Sequence, residues 1–132
     1  MKFKPLAVGV ATASLLLGSL VTAAPAAAAG YNGVCGKGFR VVNSADIGGK
    51  GTVFLTYNGS SGKNCVVTVL ANKGKVRADA AVKKASGGPW AKDSGQFAQY
   101  AGPVHLAAAG SCVDWGGMIG STWVVRTGTN CG

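Results

Sequence analysis

From residue 39 onward, short apolar-rich runs alternate with polar, glycine-rich breaks. Residues 39–45 (FRVVNSA) lead into DIGGKG, and residues 52–57 (TVFLTY) are rich in the β-branched and aromatic residues that suit a pleated surface. Residues 58–64 (NGSSGKN) join Asn-Gly to Ser-Gly, a strong turn signal, before a second apolar run at 65–71 (CVVTVLA) and a tight NKGK turn. The next run alternates cleanly. Val76, Ala78, Ala80 and Val82 share one face, and Arg77, Asp79, Ala81 and Lys83 share the other. A period of two marks a half-buried strand, not a helix. Residues 84–95 (KASGGPWAKDSG) have no apolar period and predict a long loop. Residues 96–109 read as a strand broken at Gly102-Pro103, because proline cannot donate to a ladder and belongs at an edge or a bend. Residues 121–127 (STWVVRT) predict the last strand, with Trp123 and Val125 on one face and Val124 and Arg126 on the other. The apolar neighbours of Trp123 point it toward the core. No amphipathic helix is visible, and 22 glycines at repeated turns predict an all-β antiparallel sandwich or small barrel.

The first 29 residues follow a different rule. Lys2 and Lys4 precede an uncharged apolar run, and Ala27-Ala28-Ala29 fits a small-residue cleavage pattern, so 1–29 is expected to be a secretory signal peptide. The rival is a membrane anchor, but the 16-residue apolar run at 6–21 falls short of the ~20 a spanning helix needs. The expected product is a secreted single domain, residues 30–132, without stable membrane insertion. Removing 29 of 132 residues leaves 103, enough for one modest core.

Small exported domains often need covalent staples. Cys35, Cys65, Cys112 and Cys131 all lie in the mature part, and an even count argues for two disulfides. Of the three connectivities, Cys35–Cys65 with Cys112–Cys131 is favoured, because each bond closes a loop around one predicted hairpin. The terminal stretch 111–131 then reads as a stapled hairpin, with Asp114 and Arg126 as candidate ion partners. A zinc site would need paired cysteines or histidines at short spacing; no C-x-x-C exists, and His105 stands alone.

Charge narrows the partners. Thirteen Lys and Arg less Lys2 and Lys4 leave eleven against four aspartates, a mature net charge of +7. Such a surface favours anionic envelope polymers, though spread-out lysines also simply keep a protein soluble. Nucleic acid is not an expected partner, since no base-stacking motif accompanies the charge.

Residues able to carry chemistry are few. His105 in PVHLAA is the one imidazole, no G-x-S-x-G elbow is present, and GGKGT lacks phosphate-loop spacing. A glycosidase pair would have to come from scattered aspartates. We therefore expect no catalytic residue, no metal and no cofactor. Binding is better represented. Trp90 and Trp115 could stack on sugar rings while Asp93 and Asp114 accept hydroxyl hydrogen bonds, the combination of apolar face and polar handle that such recognition uses. Packing against the Cys112 disulfide is the competing role for Trp115. A rigid loop at 84–95 occupying a protease cleft is a third reading.

The ordered segments YNGVCGKG, GTVFLTYN, GKNCVVTV, QYAGPVHL and SCVDWGG carry a resemblance across nearly the whole mature chain. Together they resemble the small exported streptomycete proteins of the spore-associated protein A family. The resemblance implies an exported, disulfide-bonded protein found with aerial hyphae or spore surfaces and without an established reaction. It transfers no catalytic residues, and it is weakest over 72–90. The expectation is a cationic, non-catalytic structural or adhesive protein of the spore or cell surface, with a carbohydrate-binding module as the alternative.

Overall fold

The inner strands of this chain have apolar faces to bury, and two sheets stacked face to face satisfy that need. The structure, a computed structural model, describes residues 30–132, so the expected signal peptide lies outside the described residues. Eight strands follow in order: β1 Phe39–Asp46, β2 Gly51–Asn58, β3 Lys63–Leu70, β4 Val76–Lys84, β5 Ala91–Phe97, β6 Tyr100–Ala107, β7 Val113–Ile119 and β8 Thr122–Thr129. They form two four-stranded sheets, β1-β2-β3-β6 and β5-β4-β7-β8, and every pairing is antiparallel. The architecture is the expected all-β one, in its sandwich form.

The core lies where β2 and β3 face β4 and β7. Val53 and Leu55 of β2, Val66 of β3, Val82 of β4 and Trp115 of β7 are fully buried there. Burying a valine or leucine completely is worth about 1.5–3 kcal/mol, so such positions fix which face of each strand turns inward. The alternation read in β4 holds: Ala78, Ala80 and Val82 are core residues. The sheets approach closely at one point. Thr68 on β3 donates its hydroxyl to the Asp79 carbonyl on β4 at 2.8 Å, and a Cβ on Gly117 would lie 2.2 Å from the same Oγ1. Only glycine fits at 117.

Three expectations need correction. The predicted loop 84–95 contains most of β5, an edge strand whose residues are nowhere fully buried. Without a buried stripe it leaves no apolar period to read. The terminal hairpin is present, but its glycine-rich VDWGGMI, where the pattern shows no strand, is β7, buried along its whole length between β4 and β8. Its glycines answer crowding. Finally, the break expected at Gly102-Pro103 is a register shift in the β6–β3 ladder between Ala101 and Val104 and not the end of a strand, and proline is tolerated there because β6 is the edge of the first sheet, as expected.

The favoured cysteine connectivity is the one present. Cys35–Cys65 spans 30 residues and encloses β1 and β2, while Cys112–Cys131 spans 19 and encloses β7 and β8. By loop closure alone these rings contribute roughly 3–4 kcal/mol each.

Candidate functional site: the outer face of the second sheet

A sandwich has two outer faces, and here they differ. That of the first sheet is covered over β2 and β3. Residues 30–38 fold over it, fixed by Cys35 to Cys65 on β3, and pack Tyr31 and Val34, with Phe39 at the start of β1, against Phe54 and Val67. The Tyr31 and Phe54 rings stand 5.7 Å apart. His105 of β6 belongs to this arrangement: its ring meets Phe39 edge-on at 5.2 Å, and Nε2 lies 3.2 Å from the Cys35 carbonyl oxygen.

The second sheet's outer face is different: Asp79, Ala81 and Met118 at its middle are buried, but Trp90, Trp123 and Val125 stay exposed. Register sets its side chains in rows. Lys92, Ala81, Gly116 and Val125 form one row across β5, β4, β7 and β8, and Ser94, Asp79, Met118 and Trp123 form the next. Trp90 stands immediately before β5. The small residues Ala81 and Gly116 leave a depression between the larger ones. A Cβ on Gly116 would come within 2.3 Å of the Val124 carbonyl oxygen, so no side chain fits there unless β8 moves. The result is a groove of about 180 Å³ lined by Ala81, Trp90, Lys92, Gly116, Trp123 and Val125. Trp90, Trp123 and Val125 are 40%, 47% and 45% exposed. The face crosses three interstrand steps of about 4.8 Å each, room for an extended ligand.

Polar groups frame this apolar floor. Lys83 Nζ lies 5.6 Å from the Trp90 ring centroid, within cation–π range, and 3.2 Å from Asp114 Oδ2. Lys92 Nζ lies 3.9 Å from Asp79 Oδ2, which also accepts a 2.6 Å hydrogen bond from the Ser94 hydroxyl. Asp79 is almost wholly buried, and its Oδ1 has no hydrogen-bond partner.

The four residues singled out from sequence for ligand binding fall in different places. Trp90 forms a wall of the groove. Trp115 is fully buried in the core, its Nε1 donating to Thr129 Oγ1 at 2.8 Å, so neither ring face is available for stacking. Asp93 accepts the Gly102 N–H at 2.9 Å, tying edge strand β5 to edge strand β6 across the corner of the sandwich. Asp114 accepts the Gly128 N–H at 2.8 Å and pairs with Lys83, opposite it in register, in place of Arg126. The expected Asp114–Arg126 pair fails on parity: Arg126 stands opposite Trp115 on β7, one residue out of step with Asp114.

Trp123 was the main omission. Its shared face with Val125 was read correctly and then turned inward, whereas both point outward. The signal was available in principle. Arg77, Asp79 and Lys83 mark the outer face of β4, and the β4–β7–β8 register carries that parity to Trp123. Without β7 the chain of parity was broken.

No family model matches the chain. It is 47% identical over 131 residues to Spore-associated protein A of Streptomyces coelicolor, an alignment covering 96% of this chain and 84% of that protein. No solved structure matches it.

Proposed function

The chain belongs to the spore-associated protein A family, and we propose that it is a non-catalytic, cationic protein of the spore or cell surface that attaches to envelope polysaccharide through the Trp90–Trp123 groove. The relative's name associates that protein with spores, and the reading extends the association to this chain. Secretion through the 1–29 leader is part of the same proposal.

The observation that carries the attachment is the pair of tryptophans, each at least 40% exposed, walling an apolar groove. Leaving large apolar surface in water forgoes about 25 cal/mol per Å² of burial, and such exposed patches mark binding surfaces. Sugar rings offer the matching chemistry, with C–H faces that lie against an indole and hydroxyls that reach neighbouring charged groups. The commitments of the polar residues favour binding over turnover. All four aspartates are held by backbone N–H groups or by Ser94 and lysines, and His105 is engaged with the covering segment. The protease-cleft reading loses support, because residues 91–95 are ladder-paired in β5.

The test is retention on intact spores and on isolated wall polysaccharide at moderate salt. The double variant Trp90→Ala/Trp123→Ala is expected to lose at least about tenfold in affinity, the scale of two lost aromatic stacking contacts. Retention equal to that of the unaltered protein overturns the proposal.

A further inference from the structure

Resting on the reading that the groove takes polysaccharide, we infer that its ligand is an uncharged glycan, although the protein as a whole is strongly cationic. The inference comes from where the carboxylates are. Lys92 lines the groove and Lys83 stands over Trp90, and each has its own partner: Asp79 at 3.9 Å for Lys92 and Asp114 at 3.2 Å for Lys83. These are the only Lys/Arg–Asp pairs among the described residues. The other two aspartates serve backbone, Asp46 accepting from Gly49 and Asp93 from Gly102. The lysines and arginines elsewhere on the described surface therefore lack a carboxylate within pairing distance. The cation in the groove wall, Lys92, and the one over Trp90, Lys83, are compensated, whereas the remaining cations, Arg126 beside Val125 and Lys50 on Thr122 included, are not.

Lysines already paired with carboxylates offer a polyanion little net attraction at the Trp90 wall. An anionic ligand that drew Lys92 away would strand Asp79, which is 3% exposed and has one oxygen already without a partner. Stranding a buried charge is strongly unfavourable. A neutral sugar asks for no such exchange. Each ammonium has three N–H donors, so Lys83 and Lys92 can keep their carboxylates and still donate to hydroxyls beside the indole faces. A second copy of this chain fits less well. A stable dimer buries at least about 1,200 Å² in total, and an interface here would have to desolvate both ion pairs around a groove of about 180 Å³.

The experiment separates wall polysaccharide by anion exchange into neutral and anionic fractions. Binding to each is measured at low salt and at 1 M salt, where the Debye length is ~3 Å. The proteins are the unaltered chain, Trp90→Ala/Trp123→Ala and Asp79→Asn. Expected is tryptophan-dependent binding to the neutral fraction that changes less than about twofold with salt. Binding to the anionic fraction should vanish at 1 M salt and ignore the tryptophan substitutions. Asp79→Asn, which frees Lys92, should add tryptophan-dependent, salt-sensitive binding to the anionic fraction. If it does not fold, Asp114→Asn frees Lys83 and makes the same test. A tryptophan-dependent component confined to the anionic fraction, or abolished by salt, overturns the uncharged ligand and leaves the groove reading standing. No tryptophan-dependent component with either fraction, or a dimer that the double variant dissolves, overturns the groove reading itself.

Discussion

The two outer faces of this sandwich carry similar aromatic and aliphatic residues and treat them in opposite ways. On the first sheet, Phe54, Cys65 and Val67 point outward from β2 and β3, yet they are buried, because residues 30–38 cover them and a disulfide holds the cover down. On the second sheet, Trp123 and Val125 point outward from β8 and stay in water. The chain possesses a device for closing an apolar outer face and uses it once. An apolar face left open beside such a device reads as a surface kept for a partner, not as a shortage of cover. Stability should follow cover: residues of the first face should act as core, and those of the second should contribute to binding alone.

The sharpest way to break this comparison is Phe54→Ala. Truncating a buried phenylalanine typically costs about 3–5 kcal/mol, and Phe54 is held between Tyr31 and the β3 side chains. Urea unfolding should show a loss in that range with little change in groove binding at 25 °C in the folded protein. A loss under about 1 kcal/mol would mean that the cover contributes little and that the two faces are equivalent.

Slightly smaller is the effect of unfastening the cover. Cys35→Ala with Cys65→Ala removes a 30-residue cross-link, worth about 3–4 kcal/mol by loop closure. The comparison adds a local signature. Backbone amides of 30–38 should lose hydrogen-exchange protection beyond that global loss, while amides of β7 and β8 should lose only the global part. Equal loss in both regions would argue that the disulfide acts on the unfolded chain alone and fixes no cover.

How much of this was legible in the sequence follows the same division. Strands with one clean apolar stripe, such as β4, were readable because burial of Ala78, Ala80 and Val82 imposes a period of two. The cysteine connectivity was readable because each bond encloses a hairpin. β5 and β7 were not, for opposite reasons. β5 is an edge whose half-buried positions include Asp93 and Gly95, so its alternation does not show as apolar against polar, and β7 is buried on both faces and does not alternate. Gly116 and Gly117 compounded the error, since a glycine demanded by close packing looks like a glycine demanded by a turn. The candidate site was lost with β7. Trp90 could be found as an aromatic in a polar stretch, but Trp123 required the register β4–β7–β8. Trp115 looked like a ligand platform because its neighbours Asp114 and Gly116 are polar or small, and these face outward while it faces the core.

The smallest expected effect on stability is the most discriminating of all. Trp123 is 47% exposed on an edge strand, and its Nε1 enters no hydrogen bond within the protein among those of the described residues, unlike that of Trp115. Trp123→Ala should therefore shift unfolding by no more than about 0.5 kcal/mol, the ordinary scatter for a surface substitution. Were the side chain secretly part of the core, the cost would approach the 3–5 kcal/mol typical of a buried tryptophan, a difference no denaturation curve would miss. The same variant should weaken polysaccharide retention, because it removes one wall of the groove and leaves Trp90 without an opposing face. Trp123→Phe should recover part of that binding, since a smaller ring still offers a stacking face. Stability unchanged, binding lost and phenylalanine restoring it would together separate a surface kept open for a ligand from one that is merely uncovered. Retention that ignored both substitutions would leave the open face without a use.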